Sequence, residues 1–420
     1  MSSTSTTPAS TAALRTPGQG RNLALALVAF TVTFWAWNLI GPLGVRYTQS
    51  LGLSAGQKSL LVATPVLVGS LGRIVTGALT DRFGGRVMFT VLAMISAVPV
   101  LLVALAGSIG SYPLLLVFAL LLGVAGTTFA VGIPFVNAWY HPSRRGFATG
   151  LFGAGMGGTA LSAFFTPRFV TWFGYVTTHV ILAVALLATA ALIWSSLRDA
   201  PDWRPRTDPV LPKLVAAAKL PVTWQMSFLY AVAFGGFVAF STYLPTYLKD
   251  VYDFDLTAAG TRTAGFAIAA VLARPLGGIL SDRIGAPRVV ALSLGGAAVL
   301  AVVIASQPPP ELAAGSAFVA MAFALGLGTG GVFAWVARQA PAERVGAITG
   351  IVGAAGGLGG YFPPLLMGTT YDEADHSYTV GLSLLCVTAA AALLFTLALH
   401  RRTRVAPPAT ASTDPSAKEL

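Results

Sequence analysis

Charged residues are scarce in this chain. Only 10% of the 420 residues are Asp, Glu, Lys or Arg, and 55% are hydrophobic, whereas an average soluble domain is about 25% charged. The mean hydropathy is +0.75. This composition excludes an ordinary soluble globular protein and predicts that lipid is the main solvent of the chain.

Features that other protein classes need are also missing. The single cysteine, Cys386, excludes an intramolecular disulfide. The sequence shows no nucleophile–base pair, metal-ligand cluster or phosphate-binding loop, so it predicts neither an enzyme, nor a metal site, nor a cofactor. The first twenty residues lack the early basic region and cleavage site of a signal peptide.

Long apolar runs, in contrast, recur along the sequence. About 20 apolar residues are needed to cross the hydrocarbon core of a bilayer as a helix. Twelve runs have roughly this length, and we predict an all-α membrane protein with twelve transmembrane helices. The predicted spans are 22–45, 57–79, 87–107, 112–136, 146–166, 173–196, 224–247, 257–280, 288–306, 314–337, 345–368 and 379–399.

Basic residues are divided unevenly between the predicted loops. If the N-terminus is cytoplasmic, 19 of the 26 Lys and Arg lie on the cytoplasmic side and only five lie in outer loops. This asymmetry follows the positive-inside rule and predicts a multi-pass protein of the cell inner (cytoplasmic) membrane with both termini cytoplasmic. It also explains the net charge of +11 without a nucleic-acid partner.

The two halves of the sequence repeat each other at an offset of about 200 residues. RIVTGALTDRFG at 73–84 matches RPLGGILSDRIG at 274–285, and GFATGLFGAGMGG at 146–158 matches GAITGIVGAAGGL at 346–358. Such repeats predict two six-helix bundles related by a pseudo-twofold axis along the membrane normal, with a substrate site between them.

This repeat gives the predicted domain organisation. We expect the protein to be a monomer. The bundles are joined by a polar cytoplasmic linker and flanked by disordered cytoplasmic tails. The segments are 1–21 (tail), 22–197 (first bundle), 198–222 (linker), 223–402 (second bundle) and 403–420 (tail).

Two arginines lie inside predicted spans. Arg73 and Arg274 each precede a cytoplasmic Asp by eight residues, which is about 12 Å of helix. An arginine at a helix centre costs about 2.5–3.5 kcal/mol on insertion scales. None of the fifteen acidic residues lies in the middle of a span, so a mobile anion is the predicted counter-ion. A planar oxyanion suits the donor fork of arginine.

The lack of embedded acids also bears on coupling. Many proton-coupled carriers use an Asp or Glu within the membrane as the relay, and His179, near an outer helix end, is a poor substitute. The sequence therefore favours anion exchange, with proton symport as the alternative.

The repeated loop motif resembles a signature of the major facilitator superfamily. GALTDRFGGR at 77–86 is similar to the signature between helices 2 and 3, and GILSDRIGAPR at 278–288 is its copy between helices 8 and 9. The resemblance implies a latch on the cytoplasmic face, although a solvated loop that follows the charge bias is the alternative. The implied gating residues are Asp81, Arg82, Asp282 and Arg283.

The glycine-rich repeats resemble the nitrate signatures in helices 5 and 11 of the nitrate/nitrite porter family. They are GFATGLFGAGMGGTALSAF at 146–164 and GAITGIVGAAGGLGGYFPP at 346–364. The likeness extends to GTTFAVGIPF at 126–135, to LYAVAFGGF at 229–237 and to both arginine helices. It implies a bilayer-embedded transporter whose partners are nitrate and nitrite.

In that family two arginines bind the anion, a tyrosine donates a hydrogen bond, and aromatic rings close above and below. Ordinary membrane packing is the alternative for each ring. Two positions differ from the family, because Met156 and Thr329 stand where Asn is frequent. The substrate-binding residues implied by the resemblance are Arg73, Arg274, Tyr230, Phe129 and Phe234. We add Phe333, in GTGGVFAW of helix 10, as the predicted symmetric partner of Phe129.

Glycines of the two repeats follow small-xxx-small spacing, which permits close helix contact. We expect them to let helices 5 and 11 slide during alternating access, without binding the anion. They are Gly146, Gly150, Gly153, Gly157, Gly346, Gly350, Gly353 and Gly357.

The sequence therefore predicts a secondary transporter of nitrate and nitrite that works as an antiporter by rocker-switch motion. The alternatives are a carrier of another small anion, such as cyanate or a carboxylate, and a proton-coupled nitrate symporter. A non-transporting anion sensor is disfavoured, because the linker and tails are too short for a signalling domain.

Overall fold

The computed structural model describes residues 16–141, 144–205, 209–310, 312–341 and 344–405. Within these ranges the regular structure is helical apart from one isolated bridge between Asp372 and Ser377. Most of the two predicted tails lies outside the described residues.

The first half of the chain forms helices α1 to α6. Helix α1 is broken at Asn38, and α2 and α3 form one continuous run divided at Gly84, where the backbone leaves the helical region. The bounds are Gln19–Leu51 (α1), Ala55–Ile109 (α2 and α3), Tyr112–Trp139 (α4), 145–173 (α5) and Tyr175–Ser196 (α6).

The second half forms helices α7 to α12, preceded by a short linker helix, Val210–Ala218. The bounds are Pro221–Tyr252 (α7), Leu256–Ile284 (α8), Ala286–Ala305 (α9), Leu312–Gln339 (α10), Val345–Thr369 (α11) and Thr379–Val405 (α12).

These helices are consistent with the predicted twelve crossings. In the described part of the chain, ten helical stretches are long and apolar enough to span a membrane. The 55-residue run Ala55–Ile109 would extend about 80 Å and supplies two crossings, because the hydrocarbon core is only about 30 Å thick. Helix α5, which is interrupted by a 3₁₀ turn, provides the twelfth crossing.

The backbone repeats its special features in the two halves. Helix α2 begins after the capping residue Ser54 and α8 begins after the capping residue Asp255. The two helices end at Gly84 (φ 83°) and Gly285 (φ 93°), where positive φ favours glycine. The offset is 201 residues at both ends, which supports the predicted pseudo-twofold relation.

The two halves contact each other mainly at one end. We call the end that carries the start of α1 the inner end and the opposite end the outer end. At the outer end a Cβ on Gly41 would lie 2.7 Å from the Thr242 carbonyl oxygen, and one on Gly260 would lie 2.3 Å from the Ala163 carbonyl oxygen. Toward the inner end, no atom of another helix lies within 4 Å of a Cβ built on Gly150 in α5 or on Gly346 or Gly350 in α11. The described residues are therefore closed at the outer end and open at the inner end.

Candidate anion site

Arg73 lies in the middle of α2, and only 3% of its surface is exposed. Its Nη1 donates to the Gly353 carbonyl oxygen in α11 at 3.0 Å, and its Nε donates to the Gly126 carbonyl oxygen in α4 at 3.4 Å. Within the described residues, Nη2 has no hydrogen-bond partner. An unsatisfied buried donor on a charged group is costly, so an anion that accepted from Nη2 would be stabilised here.

Arg274 lies in α8 and is half-buried. Its Nη2 donates to the Tyr230 hydroxyl at 3.2 Å, and its Nη1 contacts the Met156 sulfur in α5. A thioether is a weak acceptor, so this edge of the guanidinium also lacks a strong partner. A Cβ on Gly153 would be 3.8 Å from Arg274 Nε.

Two phenylalanine rings lie against both guanidinium groups. Arg73 Cζ is 5.0 Å from the ring centre of Phe129 and 5.5 Å from that of Phe234. The corresponding distances for Arg274 Cζ are 5.6 and 5.9 Å. The shared rings show that α2 and α8 bring the two cations to one place between the halves. Cation–π attraction stabilises the cations there.

The remaining predicted side chains complete this cluster. Tyr230 is fully buried, and its ring stacks on Phe234 with the centres 5.0 Å apart. Phe333, from α10, packs its ring 4.6 Å from that of Tyr230 and lies 5.7 Å from Arg274 Cζ. The structure therefore brings together all six residues that the sequence predicted for substrate binding.

Acidic side chains do not neutralise these cations in the described part of the chain. The ion pairs found there are Lys58–Asp250, Lys249–Asp253 and Arg338–Asp282. Neither site arginine takes part in any of them.

Some neighbours of the site were missed or assigned differently by sequence reasoning. The backbone acceptors of Arg73 were not predicted, because any residue type supplies a carbonyl. The ring of Phe30 in α1, 5.8 Å from that of Phe129, was also missed. Thr329 donates to the Leu325 carbonyl of its own helix at 2.8 Å, so its hydroxyl hydrogen is already bonded.

The predicted packing glycines differ in how closely they approach other helices. A Cβ on Gly357 would lie 2.2 Å from Ser70 Oγ, and one on Gly353 would lie 3.8 Å from the Phe129 ring. Four others have no neighbouring heavy atom within 4 Å, namely Gly150, Gly157, Gly346 and Gly350. The surroundings of Gly146 lie outside the described part.

Equally tight contacts are made by a three-residue-spaced pair in each helix that the spacing rule did not predict. Cβ atoms on Gly155 and Gly158 would meet α1 at 2.3 and 2.1 Å, and those on Gly356 and Gly359 would meet α7 at 2.1 and 2.2 Å. These contacts hold each helix inside its own half. The four open glycines therefore do not pack helices in this conformation, and a sliding role in another conformation stays a prediction.

The predicted gating residues lie at the inner end, after α2 and α8. Asp282 accepts from Arg338 Nη2 at 3.0 Å, which joins α8 to α10 within one half. Arg82 and Arg283 are exposed, and Asp81 is half-buried. A latch between the halves is expected in a conformation that is closed at the inner end, so the gating role stays a prediction.

Comparison with known proteins identifies the family. The model of the Major Facilitator Superfamily matches residues 26–262 and 253–419. The chain belongs to this superfamily. It is 64% identical over 385 residues to the probable nitrate/nitrite transporter NarK2 of Mycobacterium tuberculosis, with 92% of this chain and 97% of that protein covered. It is 35% identical over 379 residues to the probable nitrate/nitrite antiporter NarK1 of Thermus thermophilus, with 83% and 85% covered.

Within the superfamily, this major facilitator is a member of the nitrate/nitrite porter family, as the glycine-rich segments predicted. The fold agrees with a solved bacterial homologue of the human lysosomal transporter Spinster, in an inward-facing and occupied conformation. The TM-score is 0.69 at 19% identity, over 92% of this chain and 97% of that one. The predictions of an all-α membrane fold and of a transporter rather than an enzyme are confirmed.

Proposed function

We propose that this major facilitator carries nitrate and nitrite across the cytoplasmic membrane by alternating access, in exchange for each other. The observation that carries the proposal is the pair of arginines, one from each half, that share two aromatic rings. One guanidinium nitrogen of Arg73 is left without a partner among the described residues. The names of the relatives support the same anions.

The site chemistry suits a small planar anion. Arg73 and Arg274 offer flat donor groups from opposite halves, and a planar oxyanion accepts from such groups in the same plane. Phe129 and Phe234 would cover its faces and exclude water, which a weakly hydrated anion tolerates. A tetrahedral phosphate is thicker and more strongly hydrated, so the same rings would disfavour it.

The charges also support exchange. If the two guanidinium groups approached to about 6 Å, they would repel by about 3 kcal/mol at an effective dielectric constant of about 20. A bound anion offsets this repulsion, whereas the unloaded carrier has to change conformation against it. The loaded carrier would therefore reorient much faster than the unloaded one, which is the condition for antiport.

The moving parts in this proposal are the two bundles, 22–197 and 223–402, joined by the linker 198–222. The distribution of Lys and Arg supports cytoplasmic placement of both termini, so the open inner end would face the cytoplasm. Since each arginine already contacts the opposite half, one chain holds a complete site, and we propose a monomeric carrier.

Nitrate uptake into proteoliposomes tests the proposal. The vesicles are loaded with nitrite, left without anion, or buffered to impose an inward proton gradient. We expect uptake only with internal nitrite, and much weaker uptake by the Arg73→Lys variant at the same nitrate concentration. Uptake driven by the proton gradient would replace exchange by symport. Absence of nitrate movement under all conditions would contradict the proposal and favour another anion, such as cyanate or a carboxylate.

A further inference from the structure

A buried ion pair closes the outer end of the molecule. Lys58, in the first turn of α2, lies with its Nζ 2.6 Å from Asp250 Oδ2 near the end of α7, and the two side chains are 6% and 14% exposed. Asp250 also accepts from the Tyr378 hydroxyl at the start of α12. Beside the pair, the hydroxyl of Tyr243 is 2.9 Å from Ser59 Oγ. This network ties the first half to the second.

Lys58–Asp250 differs from the other ion pairs of the described residues because it joins the two halves. Lys249 and Asp253 pair within the last turn of α7, and the inner-end pair lies within the second half. Both of those pairs are more exposed than Lys58–Asp250. Breaking the buried pair would therefore accompany any separation of the halves at the outer end.

The ion pair lies at the outer end of a closed interface between α2 and α11, here called the outer seam, which leads to the anion site. Helices α2 and α11 touch where a Cβ on Gly368 would lie 1.8 Å from Ser59 Oγ, and again where one on Gly357 would lie 2.2 Å from Ser70 Oγ. Further along, Arg73 donates to the Gly353 carbonyl. An anion from the outer side can reach Arg73 along this route only after the seam opens.

Lys58 and Arg73 lie on the same side of α2. They are 15 residues apart, which corresponds to about 22 Å along the helix and a rotation of about 60°. Both side chains contact the second half, Lys58 at α7 and Arg73 at α11. Helix α2 therefore carries one cation at the outer end, Lys58, and one at the anion site, Arg73.

Separation of the halves would leave Lys58 without its counter-ion in a partly desolvated opening at the outer end. A lone charge in such a place is unfavourable, and a monovalent anion would relieve it. We propose that Lys58 is the outer recruitment site for the transported anion. Asp250 pairs with Lys58 while the outer end is closed, and the incoming anion replaces Asp250 when the outer end opens. This inference rests on the proposed transport of nitrate and nitrite.

Two substitutions separate recruitment from simple gating. Lys58→Met and Asp250→Asn both break the ion pair, so a pair that only holds the gate closed would change external KM in the same direction in both variants. Recruitment requires opposite behaviour, because Lys58→Met removes the cation whereas Asp250→Asn removes its competitor. The readout is the KM for external nitrate, from initial rates of uptake into nitrite-loaded vesicles in which the orientation of the protein is known.

We expect Lys58→Met to raise the external KM by about fivefold or more, the effect of one charge at contact distance in a watery mouth. Asp250→Asn should lower the external KM or leave it unchanged. The inference is overturned if Lys58→Met leaves the external KM unchanged or lowers it, or if Asp250→Asn raises it. Failure of nitrate exchange by the native protein would instead contradict the proposed function itself.

Two further variants serve as controls for this experiment. Lys249→Met removes the same charge next to Asp250 in sequence, but from an exposed pair within α7, and we expect its external KM to stay within about twofold of native because exposed pairs contribute little. If Lys58→Met does not fold with Asp250 left unpaired, the double variant Lys58→Met/Asp250→Asn has neither charge. It should also show a raised external KM, and a native value would overturn the inference.

Discussion

At the scale of single residues, the two site arginines reach across the molecule in the same way. Arg73 belongs to the first half and bonds α11 of the second, whereas Arg274 belongs to the second half and contacts α5 of the first. The atoms that they touch in the opposite half lie in the two glycine-rich repeats. A side chain at Gly153 or Gly353 would enter the space beside Arg274 or Phe129. This crossing would let an anion bound to both arginines hold the halves together.

Arg73 should not be replaceable by lysine. A lysine retains the charge but cannot keep the fixed arrangement that bonds two carbonyls and presents a further N–H to an anion. Hydrogen bonds to charged groups contribute about 1.5–3 kcal/mol each, so we expect Arg73→Lys to weaken nitrate binding by about 10- to 100-fold in calorimetry. Arg338→Lys, at the exposed inner-end ion pair, is the control. Unchanged nitrate affinity in Arg73→Lys would contradict the proposed role.

The hydroxyl of Tyr230 can be tested separately from its ring. Tyr230→Phe keeps the stack on Phe234 but removes the acceptor of Arg274 Nη2. We expect KM for nitrate to rise about 3- to 10-fold, as for loss of one hydrogen bond, with little change in thermal stability. Tyr247→Phe removes a hydroxyl that bonds the Ile304 carbonyl outside the site and should leave KM unaltered. Equal effects of the two variants would refute a specific role for the Tyr230 hydroxyl.

The sequence predicted the side chains of this cluster because charge and aromaticity are visible in an apolar span. It could not identify the carbonyls of Gly126 and Gly353, since backbone acceptors carry no residue signature. The contact of Met156 with Arg274 was equally hidden, because a methionine in a membrane helix is ordinary packing material. The sequence shows that Met156 departs from the family pattern, but it does not show that Met156 contacts Arg274.

At the scale of helices, the junctions after α2 and α8 are related by symmetry but differ in their surroundings. Both Gly84 and Gly285 have positive φ. A Cβ on Gly84 would lie 2.8 Å from the Asp199 carboxylate, whereas one on Gly285 would meet only Pro287, at 4.0 Å. The first junction is therefore closed by the start of the linker, and the second is not.

These two glycines form a matched pair for mutagenesis. Alanine in such a backbone conformation costs about 1–3 kcal/mol, and Gly84→Ala must also displace Asp199. We expect both variants to lower the thermal unfolding midpoint in detergent and Gly84→Ala to lower it more. If Gly285→Ala were as damaging as Gly84→Ala, the contact with Asp199 would not matter.

Asp199 also predicts a pH effect. Its carboxylate accepts from the backbone N–H groups of Gly85 and Arg86 at 2.7 and 3.2 Å. Burial nevertheless raises the pKa of Asp199 above its usual value, and these hydrogen bonds oppose the rise only in part. The protonated form is thus favoured by folding. The resulting stabilisation is complete below the unfolded pKa of about 4 and is lost as the pH rises through the folded pKa.

Asp199→Asn tests this sign, because Asn keeps an acceptor oxygen but is neutral at all pH values. We expect the variant to be at least as stable as the native protein at pH 7, with the difference in melting temperature shrinking as the pH is lowered toward 4. A variant that is less stable at pH 7 and recovers at low pH would show that the negative charge stabilises the junction. Asp199→Ala, which removes the acceptor, should be less stable than Asp199→Asn.

At the scale of the whole molecule, the sequence predicted the helices, the repeat and the family, because hydropathy and internal similarity are properties of the chain itself. It could not predict which end is closed. That choice depends on a small free-energy difference between two sets of contacts formed by the same residues. The glycines show this directly, since the spacing rule pointed to Gly150 and Gly350, which face open space in the conformation described here.

Accessibility measurements test the closed and open ends. In a Cys386→Ala background, which lacks cysteine, Gly350→Cys should react rapidly with a membrane-impermeant maleimide from the inner side. Ser59→Cys, in the outer seam, should react slowly from the outer side. Breaking the outer ion pair by Asp250→Asn should speed the reaction of Ser59→Cys and slow that of Gly350→Cys, because opening one end requires closing the other. If the Asp250→Asn substitution changed only one of the two rates, the ends would move independently and a rocker-switch would be the wrong description.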